Sequence, residues 1–316
     1  MPEPAIVEDR TMEPHGLGIS RFRLGLKLGL KHVLAPVGLV LRRPAGQRVL
    51  FYHRVNSHDF AHLGLVSREL SVPPARFARQ MNWLATHGYR TLRLEEFHRI
   101  MTGRAPADPK AVLLTFDDGY ADNLEFAAPV LARHGFTAVL FPVSGLIGAD
   151  NRVWPMSDPE GLGLFMDGAQ LAAWLDAGNE IGSHTCSHPV LTQIDDRALA
   201  TELRDSRAEL SAAFGQPCDA IAYPGGDVDG RVARATLGSG YTMGFTTRSG
   251  RNPPGSDLMR LCRTEVSRSD SQLIFVLKMR GIFDWLGVRD TVAYRNFMRF
   301  SNRLFARAAS KARAET

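Results

Sequence analysis

Short apolar runs punctuate the chain, and between them apolar residues recur at three- or four-residue spacing. The runs "RVLFYH" (48–53), "AVLLTF" (111–116), "TAVLFP" (137–142), "NEIGS" (179–183), "DAIAYP" (219–224) and "YTMGFTT" (241–247) predict buried strands. In "PPARFARQMNWLATHG" two prolines open a helix, Phe77, Met81 and Leu84 share one face, and Gly88 follows the end. Further helices are predicted at 121–134, at 169–177 and at 195–214, where Leu199, Leu203, Leu210 and Phe214 form a stripe and Gly215 terminates it. No internal repeat interrupts this order. Alternating β and α units imply an α/β fold with parallel strands and helical crossovers, either a barrel or a doubly wound sheet.

Composition narrows the class. A chain of 316 residues, 44% hydrophobic and 22% charged, is long enough for one large α/β domain with appendages, and it excludes collagen-like, disordered and disulfide-rich proteins. Cys186, Cys218 and Cys262 are odd in number and at no zinc-ribbon spacing, so free thiols in a reducing compartment are expected. The opening "MPEPAIVEDRTMEPHG" lacks the basic head and apolar core of a secretion signal, and a cytoplasmic protein is the expectation.

The net charge of +5 is unevenly placed. Between Leu17 and Leu50 stand Arg21, Arg23, Lys27, Lys31, Arg42, Arg43 and Arg48 with no acid, around an apolar run (33–41) too short to cross a bilayer. Near the other end Arg295, Arg299, Arg303, Arg307 and Lys311 recur every four residues opposite an apolar face. Two readings stay open for these basic ends: a solvated face on a helix packed against the domain, or peripheral contact with an anionic membrane. Neither end carries a recognisable nucleic-acid module, and no specific nucleic acid is expected as a partner.

In parallel α/β folds chemistry gathers at the C-terminal ends of strands. Asp117 and Asp118 follow one apolar run, His184 and His188 another, Gly225 and Gly226 a third, and His53 closes the first. Asp-Asp-Gly is also an ordinary strand-ending turn in which Asp caps a helix starting near Ala121. Two imidazoles four residues apart plus one carboxylate, however, make a three-ligand set that leaves a coordination position open for water, whereas Cys186 as a fourth ligand would close it. On this reading one aspartate binds a divalent cation, which relieves the repulsion between the pair, and its neighbour serves as general base to the bound water. Zinc is the first choice, with cobalt, nickel and manganese also compatible.

"TFDDGY", "SHTCSH" and "AYPGG", in that order, resemble the first three motifs of the polysaccharide deacetylase family, the NodB-homology or carbohydrate esterase 4 enzymes. The resemblance spans about 48–268, leaving a basic extension at 1–47 and a helical one at 269–316. It implies a distorted (β/α)7-type barrel and metal-dependent removal of acetyl groups from an N-acetylated sugar. It further implies Asp117 as base, Asp118, His184 and His188 as metal ligands, the Gly225 N–H as oxyanion donor, and Tyr223 and Pro224 beside the substrate. Two departures stand out. The arginine that many members carry before the Pro of the third motif is absent, since Ile221 and Ala222 precede "YP"; and Cys262 and Arg263 stand where many have Leu-x-His, so the usual general acid is missing. The pattern is similar to a divergent subgroup that opens with "YH" and carries "YPxG", serving exopolysaccharide or envelope glycans. His53 is the candidate acid, because it ends a parallel strand at the same mouth and imidazole titrates near neutrality. Alternatives are hydrolysis of a non-sugar amide such as a ureide or cyclic imide, and a catalytically silent glycan-binding domain; the retained Asp117 argues against the latter.

Overall fold

A computed structural model describes residues 46–57, 69–151, 163–285 and 287. The basic stretches 17–43 and 291–313 lie outside the described residues. The strands are β1 (Arg48–Tyr52), β2 (Arg54–Val55), β3 (Ser71–Val72), β4 (Arg90–Thr91), β5 (Ala111–Asp118), β6 (Val139–Pro142), β7 (Glu180–Ile181), β8 (Ala220–Ala222), β9 (Met243–Phe245) and β10 (Thr264–Glu265). The main sheet runs β10-β1-β5-β6-β7, with β4 beside the start of β5, while β8 pairs with β9 and β2 with β3. Every one of these strand pairs is parallel. Single parallel bridges, Ser183 to Ile221 and Phe245 to Leu261, join the β8–β9 pair to the residues after β7 and before β10.

The unbroken apolar runs are explained by burial on both faces, the hallmark of a parallel sheet: all residues of β1 and β5 are buried. Side chains alternate along each strand, and the alternation sorts them into two cores. Val49, Leu113, Val139, Phe141, Ala222 and Phe245 converge in one cluster with Phe97, Ile100 and Met101. Leu50, Tyr52, Leu114, Phe116 and Leu140 belong to the other, beneath the surrounding helices.

Helix α1 (Pro74–Thr86) starts on its proline and buries Phe77, Met81 and Leu84 as expected. The short α2 (Leu94–Met101) supplies Phe97, Ile100 and Met101 to the first cluster. The expected helix at 121–134 is divided into a π-helical turn (Asn123–Ala127) and α3 (Ala128–Arg133). Asn123 in that turn is fully buried; it donates Nδ2 to the His53 carbonyl at 2.7 Å and accepts from the Val55 N–H at 3.1 Å, fixing the chain as it leaves β1. Helix α4 (Gly168–Asp176) has an Asp167–Gln170 capping box, α5 (Asp196–Phe214) is capped by Asp195 and ends on Gly215 at φ 64°, and α6 (Gly230–Gly238) is capped by Asp229. Helix α7 (Gln272–Met279) buries Phe275 and Met279 in the same core as α1. Beyond it, Asp284 receives both terminal nitrogens of Arg48, each at 2.9 Å. No helix among the described residues is long and apolar enough to cross a membrane.

Candidate active site

Asp117 and Asp118 are the last residues of β5, level with Phe141 and Pro142 of β6. Neither caps a helix. Their side chains leave the strand in different directions and meet different partners. Asp117 is gripped by Arg263, whose Nη1 and Nη2 donate to its two oxygens at 2.7 Å each. Arg263 is itself fully buried, donates Nε to the Thr246 carbonyl at 2.9 Å, and lies over the Phe51 ring at 4.4 Å. Asp118 adopts φ 72°, a left-handed conformation that costs a non-glycine residue about 1–2 kcal/mol. Gly119, at φ 86°, completes the turn where an added Cβ would lie 2.9 Å from the Pro142 side chain.

Asp118 faces the histidine loop. Its Oδ1 lies 3.5 Å from His184 Nε2 and 3.8 Å from His188 Nε2, and one donor atom from each residue falls within 4.8 Å of the others. Ligands about 2.1 Å from one ion in a tetrahedron are about 3.4 Å apart, so these donors need little movement to share a cation. His184 Nδ1 sits 2.7 Å from the Ala222 carbonyl. A carbonyl only accepts, so Nδ1 carries a proton and Nε2, facing Asp118, is the nitrogen that would give up its proton to a metal, the usual device for orienting a ligating imidazole. The strand of the third motif thus aims a ligand of the second. The described residues therefore suit a divalent metal through an N, N, O donor set.

The other expected residues are placed as follows. His53 is half-buried, edge-on to Phe51 at 5.7 Å between ring centroids, and close enough to Asp117, Asp118 and His188 to act on all three electrostatically. Gly225 is exposed at φ 62° just beyond β8. Tyr223 and Pro224 are buried, with the Tyr223 ring in the helix-side core, so any contact from Tyr223 to a substrate passes through its backbone. Cys186 directs its sulfur to the Glu202 carbonyl at 3.6 Å. All three cysteines are free.

Charge compensation orders the titrations. Burial pushes the Asp117 carboxyl up, but the attraction and hydrogen bonds of Arg263, with help from His184, hold it below the usual range. Burial likewise opposes ionisation of Asp118, yet its bond to His184 and the nearby imidazoles bring it down to about 2. His184 is raised, because Asp118 and Asp117 outweigh its burial. His188 is lowered to about 4 by burial and by the charge of His184, and is therefore neutral and ready to ligate at pH 7.

The residue that sequence reasoning missed is Arg263. It lies 146 positions from Asp117 in the chain. No arginine precedes Pro224 in the third motif; the arginine that reaches Asp117 stands immediately before β10.

The chain is similar to known proteins in sequence and in fold. The family model described as "Polysaccharide deacetylase" matches residues 104–244. The Bacillus subtilis protein YxkH, whose name assigns it provisionally to the polysaccharide deacetylases, is 30% identical over 225 residues, 71% of this chain and 73% of its own. A poly-beta-1,6-N-acetyl-D-glucosamine N-deacetylase of Staphylococcus epidermidis is 27% identical over 235 residues, covering 69% of this chain and 78% of that protein. Among solved structures, the Streptococcus pyogenes deacetylase PplD, in complex with acetate, superposes with a TM-score of 0.64 at 26% identity, over 75% of this chain and 99% of that one. The chain belongs to the polysaccharide deacetylase family.

Proposed function

We propose that the protein is a metal-dependent hydrolase that removes N-acetyl groups from an N-acetylated sugar of a polysaccharide or envelope glycan. The observation that carries this reading is the division between adjacent aspartates: Asp118 sits with two imidazoles, and Asp117 is held ionised beside them by a buried arginine. The names of the staphylococcal relatives add support for a poly-N-acetylglucosamine substrate.

In this reading Asp118, His184 and His188 hold the cation, zinc before cobalt, nickel or manganese. Such a cation supplies Lewis acidity to an amide carbonyl and lowers the pKa of water. Asp117 takes the proton of the attacking water. Arg263 occupies only part of each carboxylate oxygen's accepting capacity, so a lone pair remains for that proton. The Gly225 N–H donates to the developing oxyanion, and His53 delivers a proton to the leaving amine nitrogen. The silent-domain alternative rests on the missing arginine and the missing histidine acid; Arg263 on Asp117 answers the first, and His53 is proposed to answer the second.

The proposal extends to architecture. Strands β1, β5, β6, β7, β8, β9 and β10 would form the seven-stranded distorted barrel, with the Ser183–Ile221 and Phe245–Leu261 bridges completing the ring. The division into 1–47, 48–268 and 269–316 is kept, with α7 and Asp284 of the third segment packed onto the second. Membership of the "YPxG" subgroup, and contact of the basic ends with an anionic membrane, rest on the sequence alone.

The test is acetate release from oligomeric poly-β-1,6-N-acetylglucosamine by the zinc- or cobalt-loaded protein. Release that requires the metal is expected. Hydrolysis of a ureide or cyclic imide with no acetate released from glycans would favour the non-sugar alternative, and glycan binding without turnover of either would favour the silent domain.

A further inference from the structure

The loop carrying both histidine ligands is conformationally costly. Within five residues, Thr185 at φ 70° and His188 at φ 62° are both left-handed, a state that persists in non-glycine residues only where the surroundings impose it. The imposing groups follow from the backbone donors. His184 N–H bonds to the Pro142 carbonyl at 2.9 Å, Thr185 N–H to Ser183 Oγ at 3.1 Å, and His188 N–H to Thr185 Oγ1 at 3.1 Å. The two N–H groups at the tip, of Cys186 and Ser187, both go to one carboxylate oxygen, Glu202 Oε2, at 2.8 and 3.0 Å. The other oxygen of Glu202 accepts from the Ser187 hydroxyl. From the opposite side, the Ser144 and Gly145 N–H groups hold the Thr185 and Cys186 carbonyls at 3.0 and 2.9 Å.

Glu202 lies in α5, one turn before Ser206, whose hydroxyl accepts from Ser183 Oγ at 2.9 Å at the base of the same loop. Helix α5 therefore grips the loop twice, at its base and at its tip. A carboxylate on two adjacent N–H groups is a charge-assisted contact, about twice as strong as a neutral one. Glu202 touches neither histidine side chain, nor Asp118 in the contacts described, and its effect on them runs through the backbone.

We infer that Glu202 is a positioning residue for the metal site, holding the 185–188 loop in the conformation that aims His188 at Asp118. The inference rests on the metal-site reading above.

The experiment is titration of the metal-free protein with Co2+, following the d–d absorption, alongside the thermal melting of each metal-free protein. Glu202→Ala should raise the Co2+ dissociation constant by about 10- to 100-fold, the usual cost of losing a residue that orients a ligand, and should weaken the tetrahedral absorption. Glu202→Gln keeps an acceptor for both N–H groups without the charge and should lie between the variant and wild type. Should Glu202→Ala be too unstable to titrate, Glu202→Gln decides: wild-type affinity and spectrum there overturn the inference. So do lowered melting temperatures with unchanged affinity, which make Glu202 a stability residue only. If the wild-type protein takes up no Co2+ at all, the metal-site reading itself fails and this inference falls with it; loss of affinity confined to the Glu202 variants supports both.

Discussion

Two buried arginine–carboxylate pairs sit at opposite ends of the same strands. Arg263 grips Asp117 at 2.7 Å through both nitrogens, and Arg48 grips Asp284 at 2.9 Å through both. Side-chain exposure is 3% or less in all four residues. Arg48 is level with Val112, five residues before Asp117, so these two residues are about 17 Å apart along the strand at roughly 3.3 Å per residue. Their geometry is the same; their company is not. Asp284 is shared by a second cation, Arg251 at 3.7 Å, and Arg48 also donates to Thr264, so the carboxylate there meets only cations of the scaffold. Asp117 has one arginine, and its other neighbours are the imidazoles of His184 and His53, groups able to exchange protons or bind metal. A buried ion pair is thus neither a functional nor a structural signature by itself. The third group within reach decides.

The largest expected effect falls on the upper pair. Asp117→Asn should leave Co2+ or zinc bound and lower kcat by about 10³- to 10⁴-fold, the upper range for loss of a general base, whereas Asp118→Ala or His184→Ala should empty the site. Metal analysis beside acetate release reads both. An empty site in Asp117→Asn with a full one in Asp118→Ala would reverse the two assignments.

The lower pair should respond in the opposite currency. Asp284→Ala leaves Arg48 buried without its carboxylate and should cost about 3–5 kcal/mol of unfolding free energy, measured by denaturant titration. Turnover per folded molecule should remain near wild type. A variant of undiminished stability but reduced turnover would erase the contrast between the two ends.

His53→Gln should reduce kcat by roughly 10²-fold with metal content intact, because the proton donor is lost. Full rate would make His53 structural, like the Asn123 contact that holds its carbonyl.

These predictions differ in how far they could be seen in the chain. β1, β5 and β6 were legible because burial on both faces leaves continuous apolar runs, and α1 and α5 because their stripes and end signals agree. The two-residue strands β4 and β10 were not: Arg90 and Thr91 are polar and partly exposed, and Thr264 follows a buried arginine, so neither offers an apolar run. Asp117, Asp118, His184 and His188 announce themselves by local spacing. Arg263 and Glu202 do not, because each acts on a partner reached only through the fold, 146 and 16 positions away. A buried arginine reads in sequence as one more surface cation, and a glutamate in a helix as one more solvated charge.

The smallest expected effect gives the sharpest test of the comparison. Arg263→Lys keeps the cation but not the fork: an ammonium reaches one carboxylate oxygen where the guanidinium holds two in plane, and it cannot replace both that grip and the Nε bond to the Thr246 carbonyl. Asp117 should remain charged at neutral pH yet lose its fixed orientation, so kcat should fall by about tenfold with little change in KM. Co2+ affinity should hold, since Arg263 makes none of the contacts among Asp118, His184 and His188. The pH profile supplies the sign. Burial pushes the Asp117 carboxyl up and Arg263 pulls it below the usual range, so weakening that pull raises it. A base works only when ionised; activity should therefore be lost at a higher pH on the acid side than in wild type. An unchanged rate and acid limb would show that Arg263 is mere packing beneath Phe51, equivalent to Arg48 at the other end. Loss of metal would show instead that the two halves of the site are not separable.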